Sequence, residues 1–320
     1  MEASVNADPG DAYRLLADNI QQVIQGKPEV VRMAIVALFA EGHLLIEDVP
    51  GLGKTSLARS LARSIGGVWN RIQFTPDLLP GDITGVIVYH QGSGGFEFHP
   101  GGIFANIVLA DEINRGTPKT QSALLEVMSE GVVTVDAVRH EVPRPFLVVA
   151  TQNPIEMDGT YRLPEAQLDR FMMRINVGYP DHDAEVRVVM GDAEGVDPDQ
   201  LGPVLDIDTL AGVINAVKQL HVDPEVVSYA VRLAAATRDH PALRYGASPR
   251  GSVALVRAAR AYAATEGVPY VSPDDIKRVA PAVLEHRLIL TPDAELNRTT
   301  ASEVLAEILA ATPMPTAMQA

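Results

Sequence analysis

Along the first 180 residues, short apolar runs rich in Val, Ile and Leu alternate with segments whose apolar positions recur at helical spacing. That rhythm predicts a parallel sheet wrapped by crossover helices. The runs His43–Glu47, Arg71–Phe74, Ile107–Ala110, Phe146–Thr151 and Met173–Val177 read as strands, and Val30–Ala40, Lys54–Ser64, Lys119–Ser129 and Glu165–Arg170 as helices. Two features interrupt the alternation. Val86–Tyr89 and Phe96–His99 flank the turn Gln91-Gly92-Ser93-Gly94-Gly95, and Val132–Asp136 faces Val138–Val142. Both predict β-hairpins inserted into the α/β core.

Beyond Gly191 the strand signals fade, and the Gly/Asp/Pro-rich stretch to Pro203 reads as a linker. The rest of the chain reads as helical. Asp223-Pro224 and Ser272-Pro273 each set an N-cap before a proline at the first helical position, with Asp275 three residues beyond Ser272. Ile276, Val279, Ala280, Val283 and Leu284 then define a buried face, which Pro281 is expected to kink or end. Ala294–Ala310 reads as one further amphipathic helix. The expected organisation is a tail at 1–10, an α/β core at 11–190, a linker at 191–204, an all-α domain at 205–311 and a second tail at 312–320.

Composition narrows the function classes. A chain of 320 residues, 47% apolar, can bury more than one ordinary domain. The formal charge of −15 opposes nonspecific association with nucleic acid or an anionic membrane surface. The absence of cysteine excludes disulfides, thiolate metal sites and cysteine nucleophiles. The N-terminal residues are acidic and small, unlike a secretory signal, and the most apolar window, Val30–Ile46, contains Arg32, Glu41 and His43, so no stable membrane insertion is expected. These readings place the protein in the cytoplasm.

The candidate chemistry lies at the ends of the expected strands. Glu47-Asp48-Val49-Pro50-Gly51-Leu52-Gly53-Lys54-Thr55 stands between a strand and a helix, where glycines let backbone N–H groups turn toward an anion and the helix dipole assists. Lys54 can then reach terminal phosphates and Thr55 can ligate Mg2+. Asp48 occupies the position where the standard phosphate-loop pattern has its first glycine. Ile107–Ala110 ends in Asp111, a candidate Mg2+ ligand, and Glu112, which can polarise an attacking water. The strand Phe146–Thr151 leads to Asn153, able to orient that water without adding charge. Arg170 and Arg250 are candidates for neutralising the transferring phosphoryl group.

Taken in order, these elements resemble the AAA+ ATPases, and the strings LIEDVPGLGKT (45–55), GGIFANIVLADEINRGTPKTQSALL (101–125), LPEAQLDRF (163–171) and GASPR (246–250) are similar to those of the MoxR family. The resemblance implies a P-loop AAA+ core with a C-terminal helical lid, ATP as substrate and Mg2+ as cofactor. Pro50, Gly51, Leu52, Gly53, Lys54, Thr55 and Ser56 would form Walker A, Asp111 and Glu112 Walker B, Asn153 sensor 1 and Arg250 sensor 2. Val23, Ile24 and Gly26 match the segment that packs near adenine. Arg170 would be the finger serving a neighbouring subunit, with Arg115 and Arg162 as competitors for that role. Family members form rings, expected here to be hexamers. They act as chaperone-type remodellers or activators of client proteins, often beside a protein with a von Willebrand factor A domain. A nucleic-acid motor, a chelatase-type ATPase subunit and a nucleotide-binding module without turnover are the alternatives. The 5% aromatic content and lack of a basic run weigh against the first.

Overall fold

The computed structural model describes residues 8–49, 51–92, 94–153, 160–179, 182, 185–186, 190 and 196–315. Its centre is a five-stranded sheet, β1 (Leu44–Glu47), β2 (Trp69–Gln73), β5 (Ile107–Asp111), β8 (Leu147–Gln152) and β9 (Met173–Ile175), in the order β2-β5-β8-β1-β9. All four neighbouring pairs are parallel. All five expected strands are present; β2 begins earlier than the apolar run suggested and β9 ends at Ile175. The chain leaves β1, crosses through α3 (Lys54–Ser64) to the far edge at β2, and returns strand by strand before β9 adds beyond β1. That reversal places a crevice outside the carboxyl ends of β1 and its neighbours, where open α/β sheets bind ligands.

Side chains leave the two faces of the sheet alternately, so each strand feeds two cores. Ile107 and Leu109, Leu147 and Val149, and Leu44 and Ile46 join one apolar cluster, whereas Val108, Ala110, Val148, Ala150 and Leu45 join the other. The second cluster is closed by α5 (Pro118–Glu130) and by the roots of two hairpins. These are β3 (Val86–His90) with β4 (Gly95–His99), and β6 (Val132–Val135) with β7 (Val138–Glu141), both as expected from the sequence. Gly85 opens the first with φ 93°; a Cβ there would stand 2.4 Å from the His99 carbonyl oxygen, so the junction requires glycine.

The first cluster is larger and continuous. It runs from the sheet through α1 (Pro9–Gln21), α2 (Pro28–Phe39) and α3 into the C-terminal helices, joining Leu16, Ile20 and Ile35 to Leu255, Ala258, Val279 and Leu305. Helix α1 starts inside the stretch read as a tail, because Asp8 Oδ1 accepts from Gly10 N at 2.9 Å and Asp11 N at 3.1 Å.

The C-terminal helices are Ile207–Gln219, Pro224–Asp239, Pro249–Thr265, Pro273–Leu284, Pro292–Leu296 and Ala301–Ala311. Asp223 and Ser272 cap theirs as the sequence implied. The helix bearing Pro281 continues through it to Leu284. The segment expected as a single helix over Ala294–Ala310 is broken at Arg298, whose φ is 59°, and restarts where Thr300 and Glu303 form a capping box. Two short ladders lace the helices together, His221–Val222 with Tyr270–Val271 and Leu243–Tyr245 with Ile289–Leu290. Of the expected linker, 191–195 lie outside the described residues. Pro198–Gln200 makes a 3-10 turn, and Asp199 pairs with Arg59 and Arg63 of α3.

Candidate functional site

Strand β1 ends at Glu47, and the loop after it turns through Gly51 and Gly53, with φ 89° and 79°. Gly53 is the N-cap of α3 and has no side chain to occupy the first-turn N–H groups, which leaves them for an anion. Lys54 Nζ donates to the carbonyls of Asp48 at 2.7 Å and Val49 at 3.1 Å. Burial lowers the Lys54 pKa, while Asp48, Asp111 and Glu112 push it back toward the charged form. Pro50 lies outside the described residues.

Asp48 needs no left-handed backbone, and its carboxylate has its own work. Oδ1 accepts from Val49 N at 3.1 Å and Oδ2 from Gly178 N at 2.7 Å, tying the loop entrance to the segment after β9.

The parallel register sets Gln73 beside Asp111, and the ends of β5 and β8 side by side. Asp111, 8% exposed, accepts from Thr151 Oγ1 at 2.6 Å on Oδ1, and from Arg71 at 3.1 and 2.6 Å on Oδ2. The same Thr151 oxygen accepts from Glu112 N at 2.9 Å. One hydroxyl therefore spans both acidic residues and holds Glu112 at φ 54°, a left-handed position that glutamate rarely takes. The Glu112 carboxylate in turn accepts from Gln73 Nε2 at 3.0 Å and Arg115 at 2.8 Å.

These groups converge. A cavity of about 410 Å³ is lined by Gly51, Gly53, Lys54, Thr55, Ser56, Arg71, Asp111, Glu112, Thr151 and Asn153. A second, of about 300 Å³, shares Gly51, Gly53 and Ser56 with it and adds Val23, Ile24, Gln25, Lys27, Leu52, Val177 and Gly178. Together they form one cleft with a polar end and a more apolar end, the arrangement a nucleotide fits. The charged end offers a cation a buried carboxylate and the Thr55 hydroxyl, both hard oxygen donors suited to Mg2+. Gly26, at φ 71°, turns the chain between Ile24 and α2 without lining the cleft. Among the described residues, none beyond Gly178 lines either part, so the described cleft lies on the α/β core and not between core and lid.

The two candidate arginines lie elsewhere. Arg170 and Arg250 line a separate cavity of about 480 Å³ with Asp169, Arg257 and Arg287. Arg170 donates to the Leu125 carbonyl and, at 3.0 Å, to Ser129 Oγ on α5. Arg250 is exposed at the start of its helix, where Ser248 Oγ accepts from its N–H at 3.2 Å. Asp169 joins the two segments. Its Oδ2 accepts from Ser248 Oγ at 3.0 Å, and its Oδ1 from the buried Arg287 at 2.8 Å. Burial pulls the Arg287 pKa down, and Asp169 offsets only part of that shift. Of the other arginines weighed from sequence, Arg115 is engaged with Glu112 and Arg162 is exposed.

Sequence reasoning did not single out Arg71, Gln73, Thr151 or Asp169. Only Asp169 carried a local signal, as the residue preceding Arg170; the other three reach the acidic pair through strand register.

Comparisons with known proteins agree with this geometry. Residues 43–173 match the model of the ATPase family associated with various cellular activities (AAA), and residues 235–308 match the AAA lid domain. The chain is 47% identical over 298 residues to the uncharacterised protein YeaC of Bacillus subtilis (strain 168), covering 93% of each chain. It is 41% identical over 327 residues to the chaperone MoxR1 of Mycobacterium tuberculosis (strain H37Rv), covering 97% of this chain and 86% of that one. The crystal structure of a putative ATPase from Cytophaga hutchinsonii superposes with a TM-score of 0.91 at 36% identity, over 97% of both chains.

Proposed function

Because the chain belongs to the MoxR family of AAA+ ATPases, we propose that it binds ATP with Mg2+, hydrolyses it at subunit interfaces of a homo-oligomeric ring, and uses the cycle to remodel or activate client proteins. The observation that carries this reading is the convergence of Lys54, Thr55, Asp111, Glu112 and Asn153, drawn from three different strand ends, on one cavity.

In this reading the N–H groups of the loop and of the first turn of α3 hold the phosphates, and Lys54 exchanges its two carbonyl partners for phosphate oxygens. Mg2+, held by Thr55 and Asp111, would neutralise charge on the phosphate oxygens. Arg71 is the cationic partner of Asp111 here and would have to give up that carboxylate for it to hold Mg2+. Glu112 takes a proton from the attacking water once Gln73 and Arg115 release its carboxylate, and Asn153 orients the same water. Val23, Ile24 and Leu52 supply the apolar end for the base.

Arg170 and Arg250 supply the reason for assembly. Both are absent from the cleft of their own chain and gather in a common cavity, which suits groups offered to a neighbour's nucleotide. We assign Arg170 as the finger and Arg250 as its companion from the lid. A hexameric ring, a cytoplasmic location and a partner with a von Willebrand factor A domain complete the proposal. The absence, among the described residues, of a helix long and apolar enough to cross a membrane accords with it.

Steady-state ATPase activity across a protein concentration series, beside Glu112→Gln, tests the proposal. Specific activity that rises with concentration and disappears in the variant, while nucleotide binding persists, supports hydrolysis at interfaces. Binding without turnover at every concentration, in both proteins, would refute hydrolysis by this chain alone.

A further inference from the structure

Among the described residues, one group of imidazoles and a carboxylate converges away from the nucleotide cleft, on the β3–β4 hairpin: His90, Glu97 and His99. The ladder pairs His90 with Gly95, Val88 with Glu97 and Val86 with His99. All three side chains therefore leave the same face of the ribbon. The turn is closed by Gly94 N donating to the His90 carbonyl at 2.9 Å, which fixes this register.

His90 Nε2 lies 3.2 Å from His99 Nε2 and 3.2 Å from Glu97 Oε2. A ligand atom from each residue falls within 4.8 Å of the other two. A single Nε2 proton cannot serve two acceptors at full strength, so neutral imidazoles leave a lone pair facing another lone pair here. A cation removes that conflict. Zinc held at its usual distance from imidazole nitrogen in a tetrahedron sets neighbouring ligand atoms about 3.3 Å apart. Both separations at His90 meet that requirement without any movement of the hairpin.

We propose that the β3–β4 hairpin is a binding site for a divalent transition cation of the zinc class, held by His90 Nε2, His99 Nε2 and a Glu97 carboxylate oxygen. The ligand set selects the metal: two imidazoles favour Zn2+, Co2+ or Ni2+ and disfavour the all-oxygen cations Mg2+ and Ca2+. The site is thus chemically separate from the Asp111 and Thr55 oxygens. The Glu97 side chain is 70% exposed and that of His90 43%, so the cation enters from solvent and keeps a solvent-facing fourth position. Two ligands come from β4 and one from the turn end of β3, so the metal staples one strand of the ribbon to the other and stiffens the hairpin.

The test uses full-length protein without a histidine tag, freed of metal with a chelator and kept free of nucleotide. Co2+ is titrated in and followed by its visible absorption, then displaced with Zn2+. Wild type is expected to take up a single Co2+ per chain with the intense bands of a tetrahedral site. The double variant His90→Gln/His99→Gln should bind at least ~10–100-fold more weakly, the loss that removal of even an outer-shell partner causes. His140, whose ring stacks on Phe98 of the same hairpin at 3.8 Å, provides the control: His140→Gln should leave the titration unchanged. Circular dichroism of the metal-free variants reports whether they remain folded. Equal uptake by wild type and the double variant, or only the faint bands of octahedral Co2+ in both, would overturn the proposal.

Discussion

Thr151→Val removes one oxygen and keeps the branched shape, and its consequences can be worked out from two hydrogen bonds. The side chain is 1% exposed, donates to Asp111 Oδ1 at 2.6 Å and accepts from Glu112 N at 2.9 Å. Losing a hydrogen bond to a charged carboxylate costs about 1.5–3 kcal/mol, and stranding the Glu112 N–H adds about 1–3 kcal/mol where water cannot reach it. The site lines a cavity, so water recovers part of the second cost, and we expect a net destabilisation of about 3 kcal/mol. Chemical denaturation with urea measures this as a lower midpoint at unchanged slope. The effect on turnover has a separate origin. The Thr151 hydroxyl is the partner of the Glu112 N–H at this left-handed position, and a displacement of the carboxylate by about 1 Å on its loss would lower kcat roughly 100-fold. Nucleotide affinity, measured with a fluorescent ATP analogue, should fall much less, because the loop and Lys54 are untouched. Thr151→Ser keeps the hydroxyl and should restore most of the activity. Wild-type kcat in Thr151→Val, or equal damage in Thr151→Ser, would refute the assignment of Thr151 as the residue that positions the acidic pair.

Three further predictions each concern one residue. Asp48→Gly restores the commoner phosphate-loop residue yet cuts the tie to Gly178; it should lower stability by about 1–2 kcal/mol and speed hydrogen exchange at the Gly178 amide, with ATP affinity within about tenfold of wild type. His43 is fully buried, accepts from Val148 N through Nδ1 at 3.0 Å and donates through Nε2 to the Met128 carbonyl at 3.0 Å, so it is folded in as the neutral ring; burial, chiefly, lowers its pKa to about 4. A folded pKa below the unfolded value of 6.5 means that stability is full above pH 6.5 and drains away as pH falls toward 4, by about 3 kcal/mol from this residue. The buried His286 shifts in the same direction, so urea midpoints between pH 7 and pH 4 should fall in wild type and fall less steeply in His43→Gln. Arg287→Met leaves Asp169 without its buried partner and should cost about 3–5 kcal/mol, read as a lower urea midpoint; a midpoint within about 1 kcal/mol of wild type would contradict the bridging role of that pair.

The parts of the site that sequence made legible are those encoded within a few residues of one another. A glycine-rich turn between an apolar strand and a helix, and two carboxylates at a strand end, announce themselves because backbone geometry and anion chemistry are both local there. Arg71, Gln73 and Thr151 could not be read in this way. They come from different strands and meet the acidic pair only through the order β2-β5-β8, which no local pattern states. Other differences had signals that went unused. Asp8-Pro9, with Ala12, Leu16 and Ile20 beyond it at helical spacing, carries the same start signal as Asp223-Pro224 and opens α1. Thr300 with Glu303 is a capping box in the middle of the stretch read as one helix. The two-residue ladders among the C-terminal helices are too short to leave any periodicity, and they exist because tertiary packing brings their backbones together.

The continuous apolar cluster that joins the sheet to the C-terminal helices also sets the mechanics of the chain. Fully exposing one large aliphatic side chain costs about 1.5–3 kcal/mol, so prising the lid away from α1 and α2 by as few as five such residues would cost about 10 kcal/mol. That is comparable to the whole folding stability of an ordinary domain, about 5–15 kcal/mol. Wide opening of that seam is therefore rare at thermal energies, and any relative movement of sheet and lid has to slide along the packed surface instead of parting it.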